Sequence, residues 1–339
     1  MKLTQDKLVV VTGAGGFIGG HLVAALRTRG VERIRAIDVK PLACWYQQFE
    51  DVENVSADLR ERDACYAVCD GATTVFNLAA DMGGMGFIET HKADCMVSVL
   101  INTNMLLASR DQAVEQYMFG SSACVYNAEK QTFPNVTALR EEEAYPALPE
   151  DGYGWEKLFS ERMCRHFMED YGISVRVPRF HNVYGPYGTY DGGREKAPAA
   201  ICRKVIEAQW NGSCQIEIWG DGQQTRSFTY IDDTIYGILR LMEDEVTEPI
   251  NLGSSQLVTI NQLVDIVEEI AGLTLKRTYK LDAPLGVRGR NSDNRLIREK
   301  LGWEPSVRLE DGLAKTYAWI HQQMRSGPTD RVALAFTRA

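Results

Sequence analysis

The 339-residue chain has no apolar run near the length of a membrane span, and Met1–Lys7 is too polar to open a signal peptide. It has no internal repeat and only five histidines, none at zinc spacing from a cysteine pair. Net charge is −9, with acids and bases mixed along the chain, so the basic face that nucleic acid or an anionic membrane requires is missing. The eight cysteines include no CxxC pair. Cys65 and Cys69 are four apart on an expected helix and could share a face, but buried thiols in a reducing cytosol are the simpler expectation. What remains is a cytoplasmic globular protein of ordinary composition, 45% apolar and 24% charged, able to bury a proper core. Any anionic ligand must find its positive charge locally.

Up to residue 180, short β-branched runs alternate with amphipathic stretches. The pattern predicts strands at Leu8–Thr12, Ile34–Asp38, Val75–Leu78, Gln116–Ser121 and Ile173–Arg179. It predicts helices at Phe17–Arg29, about His91–Arg110 and Tyr153–Tyr171. Such alternation indicates an α/β fold with a doubly wound parallel sheet, a Rossmann domain over residues 1–180. A Gly-, Tyr- and Pro-rich stretch, His181–Arg194, then opens a smaller α/β unit over 181–325, with some chain crossing between the two. Its expected helices are Ala197–Gln209, Thr234–Glu243, Thr259–Ile270 and Leu309–Met324, with strands Ile216–Trp219 and Pro249–Leu252. Residues 326–339 read as a flexible tail. A cleft between the units is the natural ligand site.

Thr12-Gly13-Ala14-Gly15-Gly16-Phe17-Ile18-Gly19 follows a strand and opens a helix. Gly13 permits the tight turn, Gly16 lets the backbone approach a pyrophosphate, and Gly19 lets helix pack on strand. Free N–H groups at that helix start, beside Phe17 and Ile18, attract phosphates. Asp38 ends the next strand where a carboxylate takes ribose hydroxyls and repels a 2′-phosphate, so NAD is expected rather than NADP. The plainer alternative is that Asp38 only ends a strand. Asp58 suits the adenine edge.

Tyr153 and Lys157 stand at i and i+4 on one helix face. A phenol titrates near ~10, and a neighbouring ammonium and a positive nicotinamide ring would bring it toward working range. Upstream, Ser122 at a strand end supplies a hydroxyl for the same substrate oxygen. Glycine fingerprint, strand-end serine and Tyr-x-x-x-Lys in this order form a specific constellation.

On these residues the chain resembles the extended short-chain dehydrogenase/reductases that act on nucleotide sugars. Further segments narrow the resemblance to the GDP-mannose 3,5-epimerase family: Asn77–Ile88 with its Met-Gly-Gly-Met-Gly, Ser121–Tyr126, Arg179–Pro186, Gly192–Pro198 with its Gly-Gly-Arg-Glu-Lys, Trp219–Gly222, Gln224–Phe228 and Gly286–Asn294. The resemblance runs from about Lys7 to about Met324.

It implies NAD as cofactor, GDP-mannose or a related nucleotide sugar as substrate, and a homodimer paired through the two long helices of the first domain. It implies oxidation at sugar C4 by Ser122, Tyr153 and Lys157. The C4 ketone acidifies the hydrogens on C3 and C5, and their inversion needs a base and an acid on opposite faces. By resemblance Cys124 is the base and Lys196 the acid. Nearby positive charge would have to stabilise the thiolate. Core packing is the competing reading for Cys124, and solvation for Lys196. Substrate contacts implied are Gly83, Ser122, Ala123, Cys124, Asn182, Glu195, Lys196, Lys204, Gln224 and Arg226, with Arg288 and Arg290 as a clamp on the diphosphate. Gly84 and Gly86 suggest loop flexibility, Met82 and Met85 either ligand or core packing, and His181 a structural place. The rivals are a nucleotide-sugar 4-epimerase or 4,6-dehydratase and a non-catalytic NAD-binding sensor. Cys124 and Lys196, in place of a carboxylate, argue against the dehydratase.

Overall fold

Successive residues of a strand point to opposite faces of its sheet, so a short, fully apolar run implies cover on both sides. Leu8–Thr12 (β1) is such a run, buried throughout. The computed structural model describes the backbone of residues 7–336 and the side chains of residues 7–326. β1 is followed by β2 (Ile34–Asp38), β3 (Glu53–Ser56), β4 (Ala72–Asn77), β5 (Gln116–Phe119), β6 (Ser121–Ser122) and β7 (Ser174–Arg176). All but β6 form one parallel sheet in the order β3-β2-β1-β4-β5-β7. The helices between them are α1 (Phe17–Thr28), α2 (Arg62–Cys69), α3 (Met85–Thr90), α4 (Lys92–Val97), α5 (Val99–Asp111) and α6 (Tyr153–Tyr171). Val10, Ile37, Val75, Tyr117 and Phe119 face the α2 and α5 side, where Cys65 and Cys69 are buried as free thiols. Val9, Val11, Phe76 and Met118 face the other.

The rest of the chain runs β8 (Pro178–Phe180), β9 (Val183–Tyr184), α7 (Ala197–Asn211), β10 (Gln215–Trp219), β11 (Thr225–Ser227), β12 (Thr229–Tyr230), α8 (Ile231–Glu243), β13 (Ile250–Leu252), β14 (Leu257–Thr259), α9 (Ile260–Ala271), β15 (Lys276–Lys280), β16 (Gly289–Arg290), α10 (Arg295–Leu301) and α11 (Leu309–Phe336). The later part of the chain returns to the first sheet. α8 returns to pack on α1, sharing one apolar cluster with Val9, Leu22 and Phe76 through Ile235, Ile238 and Leu239. β6, β8 and β13 make a small parallel sheet that carries Ser122.

Several predicted elements are divided in the structure. The helix expected over His91–Arg110 breaks at Ser98, whose hydroxyl accepts the Asp81 N–H at 2.9 Å. The strands expected at Gln116–Ser121 and Ile173–Arg179 each split, at Gly120 and Val177, into pieces serving two sheets. The backbone of α11 continues through 326–336, since extending a helix anchored by Leu313 and Ile320 needs no new nucleus. Residues 337–339 lie outside the described residues. Among the described residues no helix is long and apolar enough to cross a membrane, and no acid, cysteine and histidine cluster suits a metal.

Candidate active site

The glycine turn has the shape a dinucleotide needs. Gly13 sits at φ +68°, a left-handed conformation, and a Cβ on Gly19 would lie 2.2 Å from the Gly13 carbonyl oxygen. Gly16 stands at the head of α1 in extended backbone and places no side chain over the helix's first N–H groups, so these are open to a phosphate. Phe17 and Ile18, the first residues of α1, are half-buried at its mouth. At the end of β2, Asp38 is buried and its carboxylate accepts the Lys40 N–H at 3.0 Å. Asp58 stands apart, in a bidentate pair with Arg60 that holds its carboxyl below the usual range. The residues present therefore fit an NAD pyrophosphate and ribose.

Across the sheet ends, Ser122, Tyr153 and Lys157 converge. Tyr153 begins α6 behind Gly152, which takes φ +73°. The Tyr153 phenol bonds the Ser122 hydroxyl, and the Lys157 ammonium lies 5.5 Å from the Tyr153 ring centre and 4.6 Å from that of Phe119. Burial, then the neighbouring Cys124 and Glu156, push the phenol well above its ordinary value. This reverses the expected direction. Lys157 is itself buried with Glu156, 3.4 Å from its carboxylate, so it brings little net charge to the ring.

Cys124 lies against the same tyrosine. It is 7% exposed and belongs to an apolar cluster with Tyr153, Phe87, Ile88 and Cys95, packed on by Met82. Its carbonyl accepts the Glu150 N–H at 3.0 Å, and Gly154 has no Cβ where one would meet that carbonyl at 2.4 Å. The positive charge the thiol requires is Arg290, whose Nη1 is 3.5 Å from Sγ. That guanidinium is shared: the same Nη1 is 3.3 Å from Glu150 Oε2, and its Nε donates to Gln131 at 2.7 Å. Burial and then Glu150 push the thiol up to about 11, against the pull of Arg290, so the expected lowering does not occur in the protein alone. Burial would raise Glu150 as well, but Arg290 and its hydrogen bond with the thiol hold its carboxyl below the usual range. Lys196 caps α7 with its ammonium near Cys124 and Arg290; burial pushes it down while the sulfur opposes.

Of the other candidates, Ala123 is buried between Ser122 and Cys124. Arg226 joins the same group of charges, lowered to about 10 by burial and then by Arg290. Arg288 and Arg290 have different partners within the protein. Arg290 is buried at the sulfur, whereas Arg288 forms a bidentate pair with Asp221. Gln224 donates to the Trp219 carbonyl and leaves a buried Oε1 without a hydrogen-bond partner among the described residues. Asn182, at φ +40°, donates to the Ser227 carbonyl. Lys204 donates to the Glu217 carbonyl, and Glu195 bonds Gly193 N and Arg203. Gly83 approaches Arg194, with only 3.2 Å between its Cβ position and Arg194 Cα. Gly84 and Gly86 serve close approach rather than flexibility, their Cβ positions meeting the Glu195 carbonyl at 2.2 Å and the Trp219 ring at 3.1 Å. Met85 packs on Gly286. His181 is fully buried, pushed down to about 3 by burial and bonded to Asn251, as a structural residue would be. Glu150 was missed by sequence reasoning; nothing in its spacing from Tyr153 distinguishes it.

A glycine-turned nucleotide cradle facing a buried Ser–Tyr–Lys group and a thiol is a sugar-nucleotide oxidoreductase or isomerase arrangement. Residues 9–253 match the NAD dependent epimerase/dehydratase family, and the chain belongs to it. It is 47% identical to GDP-mannose 3,5-epimerase 1 of Oryza sativa subsp. japonica, over 98% of this chain and 86% of that protein. The GDP-mannose 3,5-epimerase of Arabidopsis thaliana is 45% identical over 95% and 84%. Within its family, then, the chain groups with the GDP-mannose 3,5-epimerases. Among solved structures, UDP-glucose 4-epimerase from Thermotoga maritima, determined with UDP-glucose, superposes with a TM-score of 0.83 at 26% identity over 93% and 99% of the two chains. MoeE5 in complex with UDP-glucose and NAD gives 0.77 at 29% identity over 94% and 99%.

Proposed function

We propose that the chain is an NAD-dependent isomerase that inverts the sugar carbons beside C4 of GDP-mannose. The observation that carries this is a sulfur, Cys124, packed against Tyr153 of the buried Ser122–Tyr153–Lys157 group, with Lys196 close enough for the two charges to act on each other. NAD, held by the Gly13–Gly19 turn and Asp38, would supply the hydride acceptor and donor for sugar C4, and its positive ring would favour the phenolate. Tyr153 accepts the C4 hydroxyl proton and gives it back, Ser122 holds the same oxygen, and Lys157 orients the phenol. Cys124 then removes a proton from C5 or C3 and Lys196 supplies one on the opposite face.

The working pair is thiolate and ammonium, while burial favours thiol and amine. One proton passing from Cys124 to Lys196 converts the second pair into the first without changing total charge, and Arg290 at 3.5 Å stabilises the sulfur it leaves. Inversion at both carbons yields GDP-L-galactose, and at C5 alone GDP-L-gulose. Gln224, Arg226 and Asn182 are proposed substrate contacts, with Gly83, Ala123, Glu195, Lys204, Arg288 and Arg290 completing the pocket. Asp38, with Asp58 beyond it, would serve the adenosine end.

Two units, 1–180 and 181–325, a cytoplasmic location and a homodimer belong to the same reading. All eight cysteines are free, which supports a reducing compartment. Met96 and Leu100 near the start of the α4–α5 pair, and Trp155 and Phe159 on α6, are exposed apolar residues that support pairing through those helices.

Incubation with GDP-mannose in deuterated water, followed by NMR of the products, tests the proposal. Deuterium at C3 or C5 without loss of water is expected. A 6-deoxy product makes it a dehydratase, and NAD binding without turnover of any sugar nucleotide makes it a sensor.

A further inference from the structure

Lys196 carries a long flexible side chain, yet its ammonium makes no hydrogen bond or ion pair among the described residues. Its position must come from its backbone. That backbone is gripped one turn of chain earlier. The Arg194 guanidinium donates to Asp81 Oδ1 at 2.5 Å and to the Met82 carbonyl at 3.2 Å, and lies 3.7 Å from the Phe87 ring centre. The Arg194 carbonyl accepts the Gly84 N–H at 3.0 Å. On the other side Glu195 is tied to Gly193 and Arg203, and Pro198 stiffens the first turn of α7.

The two gripped surfaces fit because Gly83 and Gly84, facing Arg194 and Glu195, carry no Cβ. A Cβ at Gly84 would enter the Glu195 carbonyl at 2.2 Å, and one at Gly83 would crowd Phe87 at 2.8 Å. Phe87 and Met82 in turn pack in the apolar cluster of Cys124 and Tyr153. The contact thus ties the loop that bears the amine to the floor that bears the thiol.

We propose that Arg194 is a positioning residue, and that its latch on Asp81, Gly84 and Phe87 sets the distance between Lys196 and Cys124. The proposal rests on Lys196 being the acid of the inversions. An exposed ion pair alone would contribute little, and Arg194 and Asp81 are both about half exposed. Here the pair acts with a backbone hydrogen bond and a cation–π contact across the same few residues. The latch reaches the floor through Phe87 and Met82, while no hydrogen bond or ion pair among the described residues ties Arg194 or Asp81 to Ser122, Tyr153 or Lys157. Its loss separates the two halves of the reaction.

The test uses the full-length holoprotein with GDP-mannose in deuterated water, following transient reduction of the nicotinamide and deuterium uptake at C3 and C5 in the same samples. Arg194→Ala and Gly84→Ala are expected to lower uptake at least tenfold, since a misplacement of about 1 Å costs up to ~100-fold, with transient reduction within about twofold of wild type. Arg194→Lys, which keeps the charge and the ring contact, is expected to restore part of the uptake. Should either alanine variant fail to fold, Asp81→Asn, at an exposed position, is expected to show the same split at smaller size. Uptake at the wild-type rate in these variants, or uptake and reduction falling in proportion, overturns the proposal. Wild-type protein that reduces its nicotinamide but takes up no deuterium overturns the functional reading first, and this one with it.

Discussion

Replacing Glu150 by glutamine should move the pH dependence of inversion toward acid. Glu150 opposes thiolate formation in two ways. Its negative charge beside the sulfur favours the protonated thiol, and it shares Arg290, whose Nη1 is 3.3 Å from Oε2 and 3.5 Å from Sγ. Glutamine keeps the shape and an acceptor oxygen but removes the charge. As an upper scale, two like charges about 4 Å apart repel by about 4 kcal/mol at an effective dielectric of ~20. At about 1.4 kcal/mol per pK unit this bounds the shift near three units, and relaxation reduces it, so a fall of one to three units is expected. The ascending limb of deuterium uptake at C3 and C5, plotted against pH, should move down by that amount, with the KM for GDP-mannose little changed. Arg290→Leu should move it the other way. Removing one partner of a buried pair costs stability, so both variants need a melting curve alongside. A Glu150→Gln limb that stays in place, or moves to higher pH, refutes the reasoning.

Cys124→Ser should leave transient nicotinamide reduction largely intact while suppressing uptake at C3 and C5, because a hydroxyl is a far weaker acid than a thiol; uptake at the wild-type rate would remove the thiol from the role of base. Gly19→Ala should weaken NAD binding about tenfold or more in a calorimetric titration, since its Cβ would lie 2.2 Å from the Gly13 oxygen; unchanged affinity would mean the turn yields easily. Folded His181 stays neutral down to about pH 3, whereas an unfolded imidazole takes its proton near 6.5. The unfolded chain therefore binds more protons below 6.5, and stability is lost as pH falls from there toward 3. Between pH 7 and 5 this amounts to about 2 kcal/mol, which His181→Gln should remove from the difference in urea unfolding free energy.

How far the fold can be read from sequence depends on whether local chemistry marks each boundary. α6 is legible to the residue because Gly152 and Gly172, at φ +73° and +75°, bracket it with conformations a side chain resists. β1 is legible because an unbroken apolar run meets a glycine turn. β15 is not: among the described residues it pairs only with β10, is mostly exposed and so shows no apolar alternation. α10 is too short for a period to show, with Ile297 and Leu301 alone buried. α3 hides inside a glycine-rich segment whose glycines serve a distant partner. In the site, Ser122, Tyr153 and Lys157 can be found by spacing. The approach of Cys124 to Lys196 came from resemblance, since it joins two units. Glu150 stayed invisible because the arginine that gives it meaning is 140 residues away.

The return of α8 to the first sheet limits what the two halves can do separately. Ile235, Ile238 and Leu239 cover the face carrying Val9 and Phe76, so a polypeptide severed after residue 180 would leave that face wet and should not hold its shape unaided. Large swinging of one half against the other would tear the same seam. Heat or urea should accordingly melt the whole molecule in one step.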